Sequence, residues 1–70
     1  MADVVAPITG NVCEVRVAVG DDVAEGDVVA VIESMKLEIP VEAESAGAVT
    51  EVRVAVGDAV AEDDVMLVLG

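Results

Sequence analysis

The feature that most constrains this chain is a repeat. The stretch Val12-Cys13-Glu14-Val15-Arg16-Val17-Ala18-Val19-Gly20-Asp21 returns about 37 positions later as Val49-Thr50-Glu51-Val52-Arg53-Val54-Ala55-Val56-Gly57-Asp58. The match runs on, with Val23-Ala24-Glu25 returning as Val60-Ala61-Glu62 and Asp27-Val28 as Asp64-Val65. A chain of 70 residues has room for one core only, and it buries about 60% of the surface its unfolded form exposes. The copies, at about 10–33 and 47–70, are therefore expected to share a single domain, 1–70, related by a pseudo-twofold axis. Between them lies Glu33-Ser34-Met35-Lys36-Leu37, which holds the only lysine of the chain. A unique amine set between structural duplicates points to this turn, and not to the scaffold, as the carrier of function.

The repeat is written in valine. Apolar residues make up 56% of the chain and none is aromatic, so the core must be assembled from Val with some Ile, Leu, Ala and Met. Stiff β-branched side chains favour pleated surfaces over helices. Val15, Val17 and Val19 alternate with Arg16 and Ala18, the period of a half-buried strand. Val12 falls on the wrong parity for that face, and Val49 breaks parity in the second copy in the same way, which predicts a bulge in each.

Turn signals divide the rest into short strands. Asp3–Ala6 is read as the first, stopped by Pro7, which has no ladder N–H. Gly20-Asp21 and Gly57-Asp58 are tight turns, because glycine accepts positive φ and Asp bonds its own backbone. Asp22-Val23 is a very short strand, Val28–Glu33 a densely apolar one, Glu38–Ala43 its return, and Val65–Leu69 the last. Pro40 puts the returning strand at a sheet edge or strand start. Eight short strands without helical periodicity give an all-β class, a small sandwich or flattened barrel.

Charge removes several functions. Fifteen acidic against three basic residues give a net charge of −12, which disfavours nucleic acid and anionic membrane as partners. Scarce lysine with abundant Asp and Glu fits a salt-rich, halophilic cytoplasm, where screening relieves self-repulsion. No apolar run reaches the length of a membrane span and no leader pattern opens the chain, so the expected compartment is cytoplasmic. Cys13 is the single cysteine and its mate is Thr50, so it is expected to be a packed strand residue without redox work. There is no histidine, and no catalytic or metal-binding constellation is read from the sequence. Arg16 and Arg53 repeat with the scaffold and are read as surface charges, and Glu33 as a strand-end charge.

Glu33-Ser34-Met35-Lys36-Leu37 resembles the E-A-M-K-M attachment motif of biotinyl (biotin carboxyl carrier protein) domains, in the biotin/lipoyl attachment family. Ala6-Pro7, Gly10 and Val12 before the motif, and Glu38, Val41, Ala43, Gly47 and Val49 after it, agree with that family, so the likeness covers nearly the whole chain. Ser34 stands where alanine is usual and Leu37 where methionine is commonest. The resemblance implies a barrel-sandwich hybrid of two four-stranded antiparallel sheets, with Lys36 on a hairpin tip. Only Gly20-Asp21 is expected between the second and third strands, which resembles the thumbless carriers of multi-component acyl-CoA and oxo-acid carboxylases or decarboxylases.

The resemblance further implies covalent biotin on Lys36, with Ser34, Met35 and Leu37 forming the turn that a biotin protein ligase recognises. Carboxybiotin would then pass between a biotin carboxylase and a carboxyltransferase, and the chain itself would catalyse nothing. An alkylammonium holds its proton near neutral pH, so the ligase must remove it, and the domain needs only to present the amine on a rigid turn. Lysine stem and biotin side chain together reach about 15 Å, from about ten bonds. Two rivals remain: a lipoyl carrier, whose turn usually reads D-K-A, and an unmodified adaptor on the same scaffold. Met35 and Leu37 argue against the first. By the repeat, Met1 and Gly70 are expected to lie together, with Lys36 at the far end of the molecule.

Overall fold

A computed structural model describes residues 2–70. Met1, one half of the expected terminal pair, lies outside the described residues. Eight strands follow one another: β1 (Ala2–Val5), β2 (Gly10–Val15), β3 (Asp22–Val23), β4 (Val28–Ser34), β5 (Leu37–Glu42), β6 (Gly47–Val52), β7 (Ala59–Val60) and β8 (Val65–Leu69). They form two four-stranded sheets, ordered β1-β8-β6-β3 and β5-β4-β2-β7, with every pairing antiparallel. No helix occurs among the described residues.

The repeat is a symmetry of the hydrogen-bond register. Val12 pairs Ile32 as Val49 pairs Leu69, Glu14 pairs Val31 as Glu51 pairs Val68, and Gly10 pairs Val60 as Gly47 pairs Val23. The match extends beyond the copied sequence, since Ile32–Ile39 in the lysine hairpin corresponds to Leu69–Ala2 at the chain ends. Connections between strands repeat too. Ala6 N–H donates to Asp64 O and Ala43 N–H to Asp27 O, each at 2.9 Å, and Arg16 and Arg53 N–H donate to Val29 O and Met66 O, each at 2.8 Å. The halves interleave, because β2 takes its neighbour β7 from the second half and β6 takes β3 from the first.

Core residues come in mates: Val4 and Val41, Ala6 and Ala43, Val12 and Val49, Val23 and Val60, Val29 and Met66, Ala30 and Leu67, Ile32 and Leu69. β4 is buried on both faces from Val29 to Ile32, which is why it reads as an unbroken apolar run instead of an alternation. β5 is an edge strand, so the missing N–H of Pro40 costs no interior ladder bond.

The bulges fall where the parity break places them, between Val12 and Glu14 and between Val49 and Glu51. Each lets Val12 or Val49 point inward although Glu14 or Glu51 two positions on points out. Three expectations need correction. The second strand stops at Val15, and six residues, Arg16–Asp21, separate it from β3. After the Arg16 N–H bond the chain leaves the sheet, so Val17 is half-buried while Val19 and its mate Val56 are 64% and 65% exposed. No thumb protrudes here. Cys13 is a strand residue but an exposed one, because it is the extra residue of the bulge.

Candidate functional site

Lys36 lies on the hairpin between β4 and β5, the longest paired ladder in the molecule, with Ser34 closing on Leu37 and Glu33 opposite Glu38. Two residues remain for the turn, Met35 and Lys36, with φ of 52° and 66°. A two-residue loop with both φ positive matches the right-handed twist of its strands, and it normally recruits Asn and Gly. Here neither is present, so two side-chain-bearing residues sit in the left-handed region at an energetic cost.

That backbone turns both side chains outward. Met35 is 91% exposed and Lys36 is exposed beside it. Leu37 is 65% exposed, while Ser34 is half-buried. The ion pairs of the described residues are Arg16–Glu14 and Arg53–Glu51, each at 2.9 Å, so none engages Lys36. Both arginines are held above their ordinary range by hydrogen bonds to these glutamates, then by the glutamates' charge, and they repeat with the scaffold as surface pairs. The four turn residues singled out from the sequence thus share one hairpin tip, with Met35, Lys36 and Leu37 exposed on it.

The base of the hairpin is fixed by a contact that sequence reasoning did not weigh. A Cβ on Gly10 would stand 2.5 Å from Glu33 O and 2.7 Å from Ile32 Cγ2. Only glycine lets β2 run this close to the last residues of β4. Its presence at the start of both copies was the available signal. Asn11 pairs with Glu33 on the same ladder, which ties the lysine arm to the middle of its sheet.

Cys13 is near this end of the ladder. Its Sγ donates to Val31 O at 3.4 Å, the place taken in the second half by Thr50 Oγ1 on Val68 O at 3.2 Å. Desolvation at the bulge, then the charges of Glu38 and Glu33, push its thiol pKa up. Such a thiol is a poor nucleophile at neutral pH.

An amine displayed on a rigid, projecting turn suits attachment of a prosthetic group by an external enzyme. Comparisons with known proteins agree with that geometry. The family model described as biotin-requiring enzyme, for biotin and lipoyl attachment domains, matches residues 2–69. Biotinylated protein TB7.3 of Mycobacterium tuberculosis is 56% identical over 41 residues, 59% of this chain and 58% of its own. The biotin/lipoyl attachment protein of Bacillus subtilis is 47% identical over 37 residues, 53% of this chain and 51% of its own. These alignments therefore span little more than half the length of the curated relatives. Among solved structures, the urea carboxylase of Kluyveromyces lactis superposes with a TM-score of 0.91 at 35% identity, covering 99% of this chain and 6% of that one. A single-chain, multi-domain long-chain acyl-CoA carboxylase gives 0.87 at 30% identity over 94% of this chain and 6% of its own. With its fold, its duplicated register and its M-K hairpin all in agreement, the chain belongs to the biotin-requiring enzyme family, as a biotinyl domain of the biotin/lipoyl attachment type.

Proposed function

We propose that Lys36 is the site of covalent biotin attachment and that the chain is a non-catalytic carrier of a biotin-dependent carboxylase or decarboxylase. One observation carries this reading: the only lysine occupies the tip of a strained two-residue turn, beside a methionine that is 91% exposed. A protein that wanted a stable hairpin would place Asn-Gly there. Retaining Met-Lys keeps side chains on the tip for another protein to read.

Biotin, once attached, supplies a ureido nitrogen that bears a carboxyl group. The domain's own part is to hold the amine still for acylation and afterwards to project the arm. Met35 and Leu37 give a biotin protein ligase an apolar grip on either side of Lys36, and Ser34 closes the turn opposite Leu37. With a reach of about 15 Å from the tip, the arm serves a biotin carboxylase and a carboxyltransferase while the barrel stays outside both.

Co-expression with a biotin ligase tests the assignment. One biotin per chain is expected for the natural sequence and none for Lys36→Arg, read by intact mass and avidin capture. The arginine variant should unfold within about ±0.5 kcal/mol of the natural chain, as exposed substitutions do. Biotin retained in Lys36→Arg, or a lipoyl mass in place of biotin, contradicts the reading.

A further inference from the structure

Two clefts off the pseudo-twofold axis are copies of each other, one containing Arg16, Val17, Asp21 and Asp27 and the other Arg53, Val54, Asp58 and Asp64. They belong to the scaffold. A third groove, of ≈ 580 Å³, lies on the axis, where the ends of β1 and β5 meet, and its two walls are not copies. Inward positions match, Ala6 with Ala43. Outward positions have diverged: Val5 and Pro7 on the β1 side face Glu42 and Glu44 on the β5 side, and Asp63 stands where the first copy has Gly26.

Nine carboxylates of the described residues take part in no side-chain hydrogen bond or ion pair, and four of them gather at this groove. Asp21, Asp27, Asp58 and Asp64 each accept a backbone N–H in a turn, and Glu14 and Glu51 pair with arginine. Glu25, Glu42, Glu44 and Asp63 take part in no side-chain hydrogen bond or ion pair among the described residues, and no basic residue lines the groove. Beside them Val5 is 40% exposed. Both flanking strands are sheet edges. β5 is blunted by Pro40 and its glutamates, whereas β1 carries only Asp3 as protection.

We propose that this groove docks an extended, basic segment of a partner protein along the open edge of β1. Its apolar side chains would rest on Val5 and Pro7, and its lysine or arginine side chains would meet Glu42, Glu44 and Glu25. Edge addition supplies backbone hydrogen bonds, and alternation of basic and apolar residues matches a groove with one wall of each kind. Glu42 is five residues along β5 from Leu37, about 17 Å at the usual rise. A partner held there leaves the lysine hairpin free. The inference does not depend on what Lys36 carries.

The test is a titration of isotope-labelled protein with the peptide acetyl-Lys-Val-Lys-Val-Lys-amide, followed by amide NMR shifts. Salt is held near 0.15 M, where the Debye length is about 8 Å. Shifts are expected at Val4–Ala6, Val41–Glu44 and Asp63. Glu42→Gln with Glu44→Gln should weaken binding about fivefold, while Glu14→Gln with Glu51→Gln, the same change of charge, should leave it nearly unchanged. Val5→Thr, which keeps the strand, should also weaken it. Absence of shifts, shifts spread over the whole acidic surface, or equal losses in the two double variants would overturn the proposal. Biotin loading of each variant, read separately by mass, keeps this outcome distinct from any failure at Lys36.

Discussion

At Met35 and Lys36 the backbone adopts φ values that L side chains avoid, at a cost of roughly 1 kcal/mol for each residue. Replacing the pair by Met35→Asn with Lys36→Gly supplies the residues this turn type prefers. That double variant should resist urea better than the natural chain, by roughly 1 kcal/mol, while losing all attachment. A lower stability would show that Met35 and Lys36 contribute to the fold through contacts their exposure does not suggest. The sequence placed these residues on a turn, through their position between the copies. It carried no sign of positive φ, because the usual markers, Gly and Asn, are missing. Cys13 shows the same limit. The parity of Val12 announces a bulge beside it, but whether the extra residue faces core or solvent depends on which neighbour the chain skips.

At the scale of elements, the repeat made strand order and turns readable, since one half is a draft of the other. Strand ends were less readable. Val17 and Val19 continue the alternation of Val15, but bonding to β4 ends with Arg16 N–H on Val29 O, and the chain peels away with Val19 in solvent. Alternation records which way side chains point, not where pairing stops. The close approach of Gly10 to β4 gives an element-scale prediction. Gly10→Ala places a methyl against Glu33 O and Ile32 and should destabilise by about 1–3 kcal/mol, with amide shifts reaching Ser34 and Leu37. Its mate Gly47 has more room, 3.0 Å to Gly70 O and 3.4 Å to Leu69 Cβ, so Gly47→Ala should cost less. Urea unfolding of the two variants checks the order, and equal losses would mean that the hairpin base yields as easily as the chain terminus.

On the scale of the whole molecule, the twofold gives the carrier its two ends. β1 and β5 both run toward the axial groove, and their far ends are the chain terminus, where Ala2 pairs Leu69, and the lysine turn. By the pseudo-twofold these ends are expected on opposite sides of a body 31 Å long, so that a tether at one would leave the other clear. The same small body carries a net charge of −12. With the Debye length falling from about 30 Å at 0.01 M to about 3 Å at 1 M salt, its melting temperature should rise as KCl is added. A flat response would mean that the acids are dispersed widely enough to need no screening, and the salt-rich host would lose its support. The central claim, that the fold exists to present one amine, is tested most directly by tryptic mapping of protein from its native host. Trypsin has three sites, Arg16, Lys36 and Arg53. Biotin on Lys36 should block the middle one and leave residues 17–53 as a single peptide, heavier by one biotinyl group. Cleavage after Lys36 into two unmodified peptides, or biotin on any other residue, would contradict it.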